Sequence, residues 1–364
     1  MKKQKPDYIL LMIVGLLVLA GFLMIASAGI VLSQTSFNQP YFFLKNQLIR
    51  GLSCGLVFGL IMFLLPLKLL RKFSLFLFLI NIALLVLVFV PGVGIELGGA
   101  KRWINIGFAF QPAEPLKFSL VLYLAAWLSK KKEQLKGFKD GFLPFLLLLG
   151  LLGLLIGAQP DIGTFGIVAL TAVLMLVAAG APLWQFASLG GLALLAIPLL
   201  IKIYPHVAAR ITAFFHPAAN SQTISYQINQ AIIAIGSGGI IGVGLGQSLQ
   251  RYLYLPEPVG DSIVAIIGEE FGFIGLLGLV VLFGIFVWRG IKIAKNAPGN
   301  FARLLALGLV SWIALQAIIN IAAISGLTPL TGIPLPFISY GSSALVVALT
   351  SVGLLLNISK RAKI

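Results

Sequence analysis

Residues 8–31 read YILLMIVGLLVLAGFLMIASAGIV, 24 consecutive positions without a charged side chain. A helix needs about 20 apolar residues to cross the hydrocarbon of a bilayer, so this stretch predicts a transmembrane span. It follows Lys2, Lys3 and Lys5 and ends near Ala26, Ser27 and Ala28, the arrangement of a cleaved signal sequence. The apolar run exceeds the roughly 7–15 residues of a signal-peptide core, which predicts a span that is retained.

The same ruler applied along the chain predicts an all-α, polytopic transmembrane bundle of about ten spans. They fall near 8–32, 48–67, 73–93, 114–129, 142–158, 164–181, 184–204, 263–288, 303–326 and 337–358. Composition agrees: 59% of the residues are hydrophobic and 10% charged, with a mean hydropathy of +1.06, against roughly 25% charged in soluble domains. In a soluble chain a net charge of +16 would point to nucleic acid. Here it has a topological cause, because Lys and Arg gather in cytoplasmic loops, and no nucleic-acid partner is expected. The one cysteine, Cys54, rules out an internal disulfide. Only His206 and His216 offer imidazole, without ligand spacing, so a zinc site is not expected.

Charge decides which side faces the cytoplasm. With the N-terminus inside, 18 of the 26 basic residues fall on cytoplasmic segments, which predicts an N-in, C-in topology. Only Asp7, Glu133 and Asp140 of the ten acids are then inside. The other seven, Glu96, Glu114, Asp161, Glu257, Asp261, Glu269 and Glu270, sit on the outer side or near it. Residues 205–262 are too polar and Gly-rich for two further spans. They predict a large extracytoplasmic loop between spans seven and eight, with short re-entrant or interfacial helices that must pack on protein or line a wet cavity.

Polar groups concentrate in four stretches. Within GGAKRWINIGFAFQPAEPLKFS (98–119), Lys101 and Arg102 stand outside against the charge bias, beside Trp103. They read either as snorkelling cations at an aromatic belt or as an anion site for a phosphorylated substrate. Glu114 and Lys117, three apart on one helical face, are either a helix-end ion pair or part of a site. QPDIGT (159–164) places Asp161 where it can cap a helix. YLPEPVGDSIVAIIGEEFGFIG (254–275) carries Glu257, Asp261, Glu269 and Glu270. As an N-cap, Asp261 would be held ionised by the helix dipole; as a base it would need partial desolvation and a raised pKa. Glu269 and Glu270 are about 100° apart on a helix, so at most one can join Asp261 directly. In GIPLPFISYGSSALV (332–346), Ser339, Tyr340, Ser342 and Ser343 read first as helix-packing contacts.

Taken in order, GFLMIASAG, GGAKRWI, QPAEPLK, QPDIGT, YQINQAIIAIGSGG, GLGQSLQRYLYLPE, the Asp261 segment and LPFISYGSSA resemble the FtsW/RodA (SEDS) family over nearly the whole chain. VPGVGIELGGAKRWI (90–104) is closer to the division branch, FtsW. The resemblance implies a peptidoglycan glycosyltransferase that polymerises lipid II, a disaccharide-peptide on undecaprenyl diphosphate, at the outer face of the cell membrane. It implies Asp261 as the catalytic base or as ligand of a divalent cation, Mg²⁺ or Mn²⁺, bound with the diphosphate. It also implies substrate binding by Lys101, Arg102, Glu114, Lys117, Asp161, Tyr226, Gln227 and Glu257. A class B penicillin-binding protein transpeptidase and other divisome or elongasome membrane proteins are the implied partners. The chain departs from the family pattern at Val259-Gly260, where His-Thr is usual, and at Ser342, where a second glycine is usual. A lipid II flippase and a non-catalytic division scaffold are the rival readings. One-sided acids weigh against a two-sided translocation path.

Overall fold

The computed structural model describes residues 5–97, 100–130, 134–216 and 224–362; Lys2, Lys3, Lys131, Lys132, Glu133 and Lys363 of the charge count lie outside them. Helix α1 (Tyr8–Phe37) is followed by α2 (Phe42–Asn46), a π-helical stretch (Gln47–Leu52) and α3 (Ser53–Leu64), which run on as a single span. Then come α4 (Leu67–Leu87), α5 (Ala113–Lys130), α6 (Leu143–Gly157), α7 (Ile162–Ala179) and α8 (Leu183–Ile203). Two short helices, α9 (Pro205–Phe215) and α10 (Ile224–Ser237), precede α11 (Ile263–Lys295), α12 (Gly299–Ile324) and α13 (Ser342–Ser359).

Among the described residues, nine helices are long and apolar enough to cross a bilayer. Helix α5 stands where the fourth span is expected, with Glu114 and Lys117 in its first two turns. One feature that span counting does not reveal is a small antiparallel sheet between α4 and α5, β1 (Gly94–Leu97), β2 (Ala100–Asn105) and β3 (Ala109–Phe110), in the order β1-β2-β3. Its strands are too short to show an alternating pattern that a hydropathy scan could resolve.

Lipid offers no hydrophobic reward for bringing helices together, so close contact relies on small residues. Helix α13 meets α3 and the π-helical stretch before it along Gly51, Gly55 and Gly59, spaced four apart. A Cβ on Gly55 would lie 2.6 Å from the Leu349 side chain, and one on Gly353 would lie 2.0 Å from the Gly59 carbonyl oxygen. Helix α1 approaches the 337–338 backbone the same way at Gly21, where a Cβ would meet the Phe337 carbonyl at 2.6 Å. At the end of the bundle expected to face the cytoplasm, Asp7 caps α1 by accepting from Leu10 N at 3.0 Å. Its Oδ2 accepts from Arg289 Nη2 at 2.6 Å, and its N–H donates to Ser359 Oγ at 3.0 Å. The ends of α1, α11 and α13 are thereby joined.

Helix α11 is broken at Gly272, whose φ of 64° and ψ of −159° are accessible only to glycine. In an unbroken helix the carbonyls of Glu269 and Glu270 would accept from Phe273 and Ile274. Here they accept from Val243 N and Gly244 N, each at 3.0 Å, while Phe273 N and Ile274 N donate to the Gly239 and Ile240 carbonyls at 2.9 and 3.1 Å. The Gly-rich stretch thus takes up the backbone groups that the break releases, which is what makes irregular chain tolerable in a membrane protein.

Gly353→Ala places a methyl group into the Gly59 backbone and should destabilise the protein by about 1–3 kcal/mol, read as a lowered melting temperature in detergent; Gly284→Ala, where nothing lies within 4 Å, should not.

Candidate active site

Asp261 lies two residues before α11, on a turn built by Glu257. Glu257 adopts a φ of 49°, and its carbonyl accepts from Gly260 N at 3.0 Å and Ser262 N at 3.3 Å. The N-cap position belongs to Ser262, whose side chain makes no capping bond. The Asp261 carboxylate instead accepts from Gln227 Nε2 of α10 at 3.3 Å, and the same amide donates to Ser262 Oγ at 2.9 Å. Loss of water around the partly buried Asp261 side chain pushes its carboxyl up to about 6; the neighbouring Glu257 adds to the rise, while Arg210 and the Gln227 bond oppose it. The cap position is Ser262's rather than Asp261's, and a dipole-held cap would shift the carboxyl the other way.

Opposite Asp261 stands Arg210 of α9, which the sequence reading did not single out. A Cβ on Gly332 would lie 3.0 Å from Arg210 Nη2 and 3.8 Å from Asp261 Oδ2, so guanidinium and carboxylate border the same glycine. Arg210 Nη1 donates to the Thr331 carbonyl at 2.8 Å. Arg102 and Asp161 are the other charges acting on it. One turn earlier on α9, burial lowers the His206 pKa, and Arg210 and Arg102 lower it further, which keeps the imidazole neutral near pH 7. The available signal for Arg210 was its position: a cation on the outer side against the charge bias, the same argument that drew attention to Lys101 and Arg102.

Arg102, on β2, grips the turn before α7 by donating from Nε to the Gln159 carbonyl at 3.0 Å and from Nη2 to the Pro160 carbonyl. Asp161 does cap α7, accepting from Thr164 N at 3.3 Å, and its other oxygen accepts from Gln111 Nε2 at 3.3 Å. Arg102, Asp161, Arg210, Gln227, Glu257 and Asp261 therefore come together at one end of the bundle, remote from Asp7 and Arg289.

The remaining candidates stand apart. Lys101 is exposed, in register with Glu96 across β1 and β2. Tyr226 is partly buried beside Gln227. Lys117 and Glu114 form a closed pair at 2.9 Å, 2% and 4% exposed at the side chain. Lys117 also donates to Gln316 Oε1 of α12 at 2.7 Å and lies 4.9 Å from the centre of the Trp312 ring. Neither adjacent acid joins Asp261: Glu269 accepts from Ser248 Oγ and from Leu249 N, and Glu270 accepts from Ser27 Oγ of α1.

At the Val259-Gly260 departure the main chain carries hydrogen bonds, whereas at Ser342 the side-chain Oγ donates to the Asn46 carbonyl at 3.4 Å. The Val259 carbonyl accepts from Tyr340 N at 2.8 Å, and the Gly260 carbonyl accepts from Ser339 Oγ at 2.7 Å. Ser339, read from sequence as a packing residue, also accepts from Leu335 N at 2.8 Å. Gln47, in the π-helical stretch, donates to the Ser339 carbonyl at 3.3 Å and accepts from Gly341 N at 3.1 Å.

A multi-pass helical bundle with a cluster of acids, arginines and amides at one end defines an integral membrane protein built around a polar terminal site. Residues 7–364 match the FtsW/RodA/SpoVE family of cell cycle proteins, and the chain belongs to that family. It is 40% identical over 360 residues to stage V sporulation protein E of Bacillus subtilis (strain 168), covering 99% of this chain and 98% of the relative. To a probable peptidoglycan glycosyltransferase FtsW of Geobacter sp. (strain M18) it is 40% identical over 356 residues, covering 98% and 97%. Its fold matches a solved structure described as structural coordination of polymerization and crosslinking by a peptidoglycan synthase complex, with a TM-score of 0.83, 25% identity and 98% of both chains covered. It also matches the rod shape determining protein RodA of Thermus thermophilus, with a TM-score of 0.72, 25% identity and 99% and 98% coverage.

Removing one partner of a buried ion pair leaves an uncompensated charge. Lys117→Met should therefore cost about 3–5 kcal/mol of stability, and the double change Lys117→Met with Glu114→Gln should recover much of it, as measured by thermal unfolding in detergent.

Proposed function

We propose that the protein is a peptidoglycan glycosyltransferase that polymerises lipid II at the outer face of the cell membrane and serves cell division. The observation that carries this reading is the desolvated Asp261 carboxylate facing Arg210 across Gly332. Transfer of a glycosyl group from a lipid diphosphate to a sugar hydroxyl needs one base and one source of positive charge for the leaving group. A glycosidase would instead use two carboxyl groups flanking the scissile bond. The acceptor hydroxyl oxygen attacks the anomeric carbon of the donor, its proton passes to Asp261, and the carbon–oxygen bond to the diphosphate breaks with both electrons leaving on the diphosphate. Arg210, with Arg102 contributing charge from its fixed position, is the guanidinium that would receive that charge. Gln227 orients the base. The Glu114–Lys117 pair braces α5 against α12 behind this cluster, and Lys101 and Tyr226 lie at its margin.

A divalent cation fits the donor set: Asp261 and Glu257 are neighbouring carboxylates, and Mg²⁺ or Mn²⁺ is commonly held by one or two carboxylates together with substrate phosphates. Bound there, it would neutralise the departing diphosphate. Among the described residues no group of three or more His, Cys, Asp or Glu side chains could hold a metal ion, so the substrate would complete the coordination. A class B penicillin-binding protein is the partner we propose, supported by the likeness to a solved complex whose description joins polymerization to crosslinking. The division role is supported by the FtsW names among its relatives.

Purified protein with its transpeptidase partner and lipid II should make glycan strands, and Asp261→Ala should abolish them without loss of partner binding. Normal polymerisation by Asp261→Ala would overturn the base assignment, and movement of labelled lipid between leaflets without polymerisation would favour a flippase. Because the base must be ionised and its pKa is raised to about 6, the rate should be half its plateau near pH 6. Below that it should fall about tenfold for each further pH unit. Arg210→Ala should lower kcat/KM by roughly tenfold to a thousandfold while leaving the acid limb in place.

A further inference from the structure

Asn320 is 2% exposed in the interior of α12, where a polar side chain is costly and marks a role. Its Nδ2 makes two bonds at once, to the Asp261 carbonyl at 2.8 Å and to the Ile333 carbonyl at 2.7 Å. Its Oδ1 is buried without a partner, a penalty that an apolar residue of similar size would avoid. What the amide supplies is therefore its N–H donors, aimed at two carbonyls from segments 72 residues apart.

Those two segments carry the opposing halves of the site. Asp261 follows the turn at Glu257. Thr331, which receives Arg210 Nη1, and Gly332, which lies between Arg210 Nη2 and Asp261 Oδ2, immediately precede Ile333. The 331–336 stretch has no regular backbone pairing of its own, since Pro334 and Pro336 lack N–H groups. One turn before Asn320, Gln316 Nε2 donates to the Pro334 carbonyl at 2.8 Å. Gln316 touches only one of the two segments. Among these amides Asn320 alone bridges the segment that holds the base to the segment that seats the arginine.

We propose that Asn320 is a positioning residue that sets the spacing between the Asp261 carboxylate and the Arg210 guanidinium. It touches neither substrate nor the reacting atoms and acts through the backbone of the residues that do. This rests on Asp261 being the base, and it adds that catalysis needs the carboxylate held at one distance from the cation. Loss of the bridge should lower turnover, because placement errors of about 1 Å cost large factors in rate, while the groups that bind lipid II remain.

The test uses the full-length protein with its transpeptidase partner and lipid II, comparing wild type, Asn320→Ala, Asn320→Asp and Asp261→Asn across pH 5.5–8. Asn320→Ala should lower kcat about tenfold to a hundredfold with KM within about twofold. Asn320→Asp keeps the shape but sets carboxylate oxygens against two carbonyls, so it should be impaired at pH 8. As the pH falls its activity relative to wild type should rise, because the protonated acid regains a donor. An Asn320→Ala kcat within twofold of wild type would overturn the proposal. So would an Asn320→Asp to wild-type ratio that stays flat with pH, and this second variant decides the matter if Asn320→Ala fails to fold. If Asp261→Asn is inactive while both Asn320 variants behave normally, only the positioning role falls; if Asp261→Asn is fully active, the base assignment falls and the positioning role with it.

Discussion

The turn that carries Asp261 is held chiefly by its backbone. The Val259, Gly260 and Asp261 carbonyls are taken in turn by Tyr340 N, Ser339 Oγ and Asn320 Nδ2. Each bond comes from the 331–341 segment or from the helix that braces it. The carbonyl bonds fix the turn's backbone, and Gln227 adds the side-chain bonds to Asp261 and Ser262. This seam also explains how the chain accommodates Val259 and Gly260 where its family usually has His-Thr: carbonyl oxygens make these contacts, and every residue type has one.

The same constraint, that every polar backbone group near lipid must find a partner, shapes the region around the site. Gly272 breaks α11, and the Gly-rich stretch 239–244 accepts and donates where the helix no longer can. Gly242 fits because a Cβ there would meet the Glu270 carbonyl at 2.1 Å. Glu269 and Glu270, just before the break, fasten the Ser248 loop and α1. These bonds tie the 248–249 loop and α1 to α11.

Two buried ion pairs mark different tasks at opposite ends of the molecule. Asp7 and Arg289 lock three helix ends together. Glu114 and Lys117 occupy the first turns of α5 and reach α12 through Gln316, which in turn supports the Pro334 carbonyl. Of the two readings the sequence leaves open for Glu114 and Lys117, the ion pair is the one formed in the structure. Arg102 is similar: it fastens the turn ahead of Asp161 and contributes charge to the cluster from that fixed position.

Much of this was legible without coordinates. Hydropathy and the polar islands were enough to establish the membrane class and the approximate positions of the long helices, because lipid imposes its demands locally, residue by residue. The short sheet escaped because its strands are too brief to carry a period. That Ser262 rather than Asp261 takes the N-cap, that neither Glu269 nor Glu270 approaches Asp261, and that Arg210 and Asn320 lie beside its turn became visible only in the tertiary structure. Arg210 is 51 positions from Asp261 and Asn320 is 59, and helical periodicity says which face a side chain occupies but not which distant turn that face will meet.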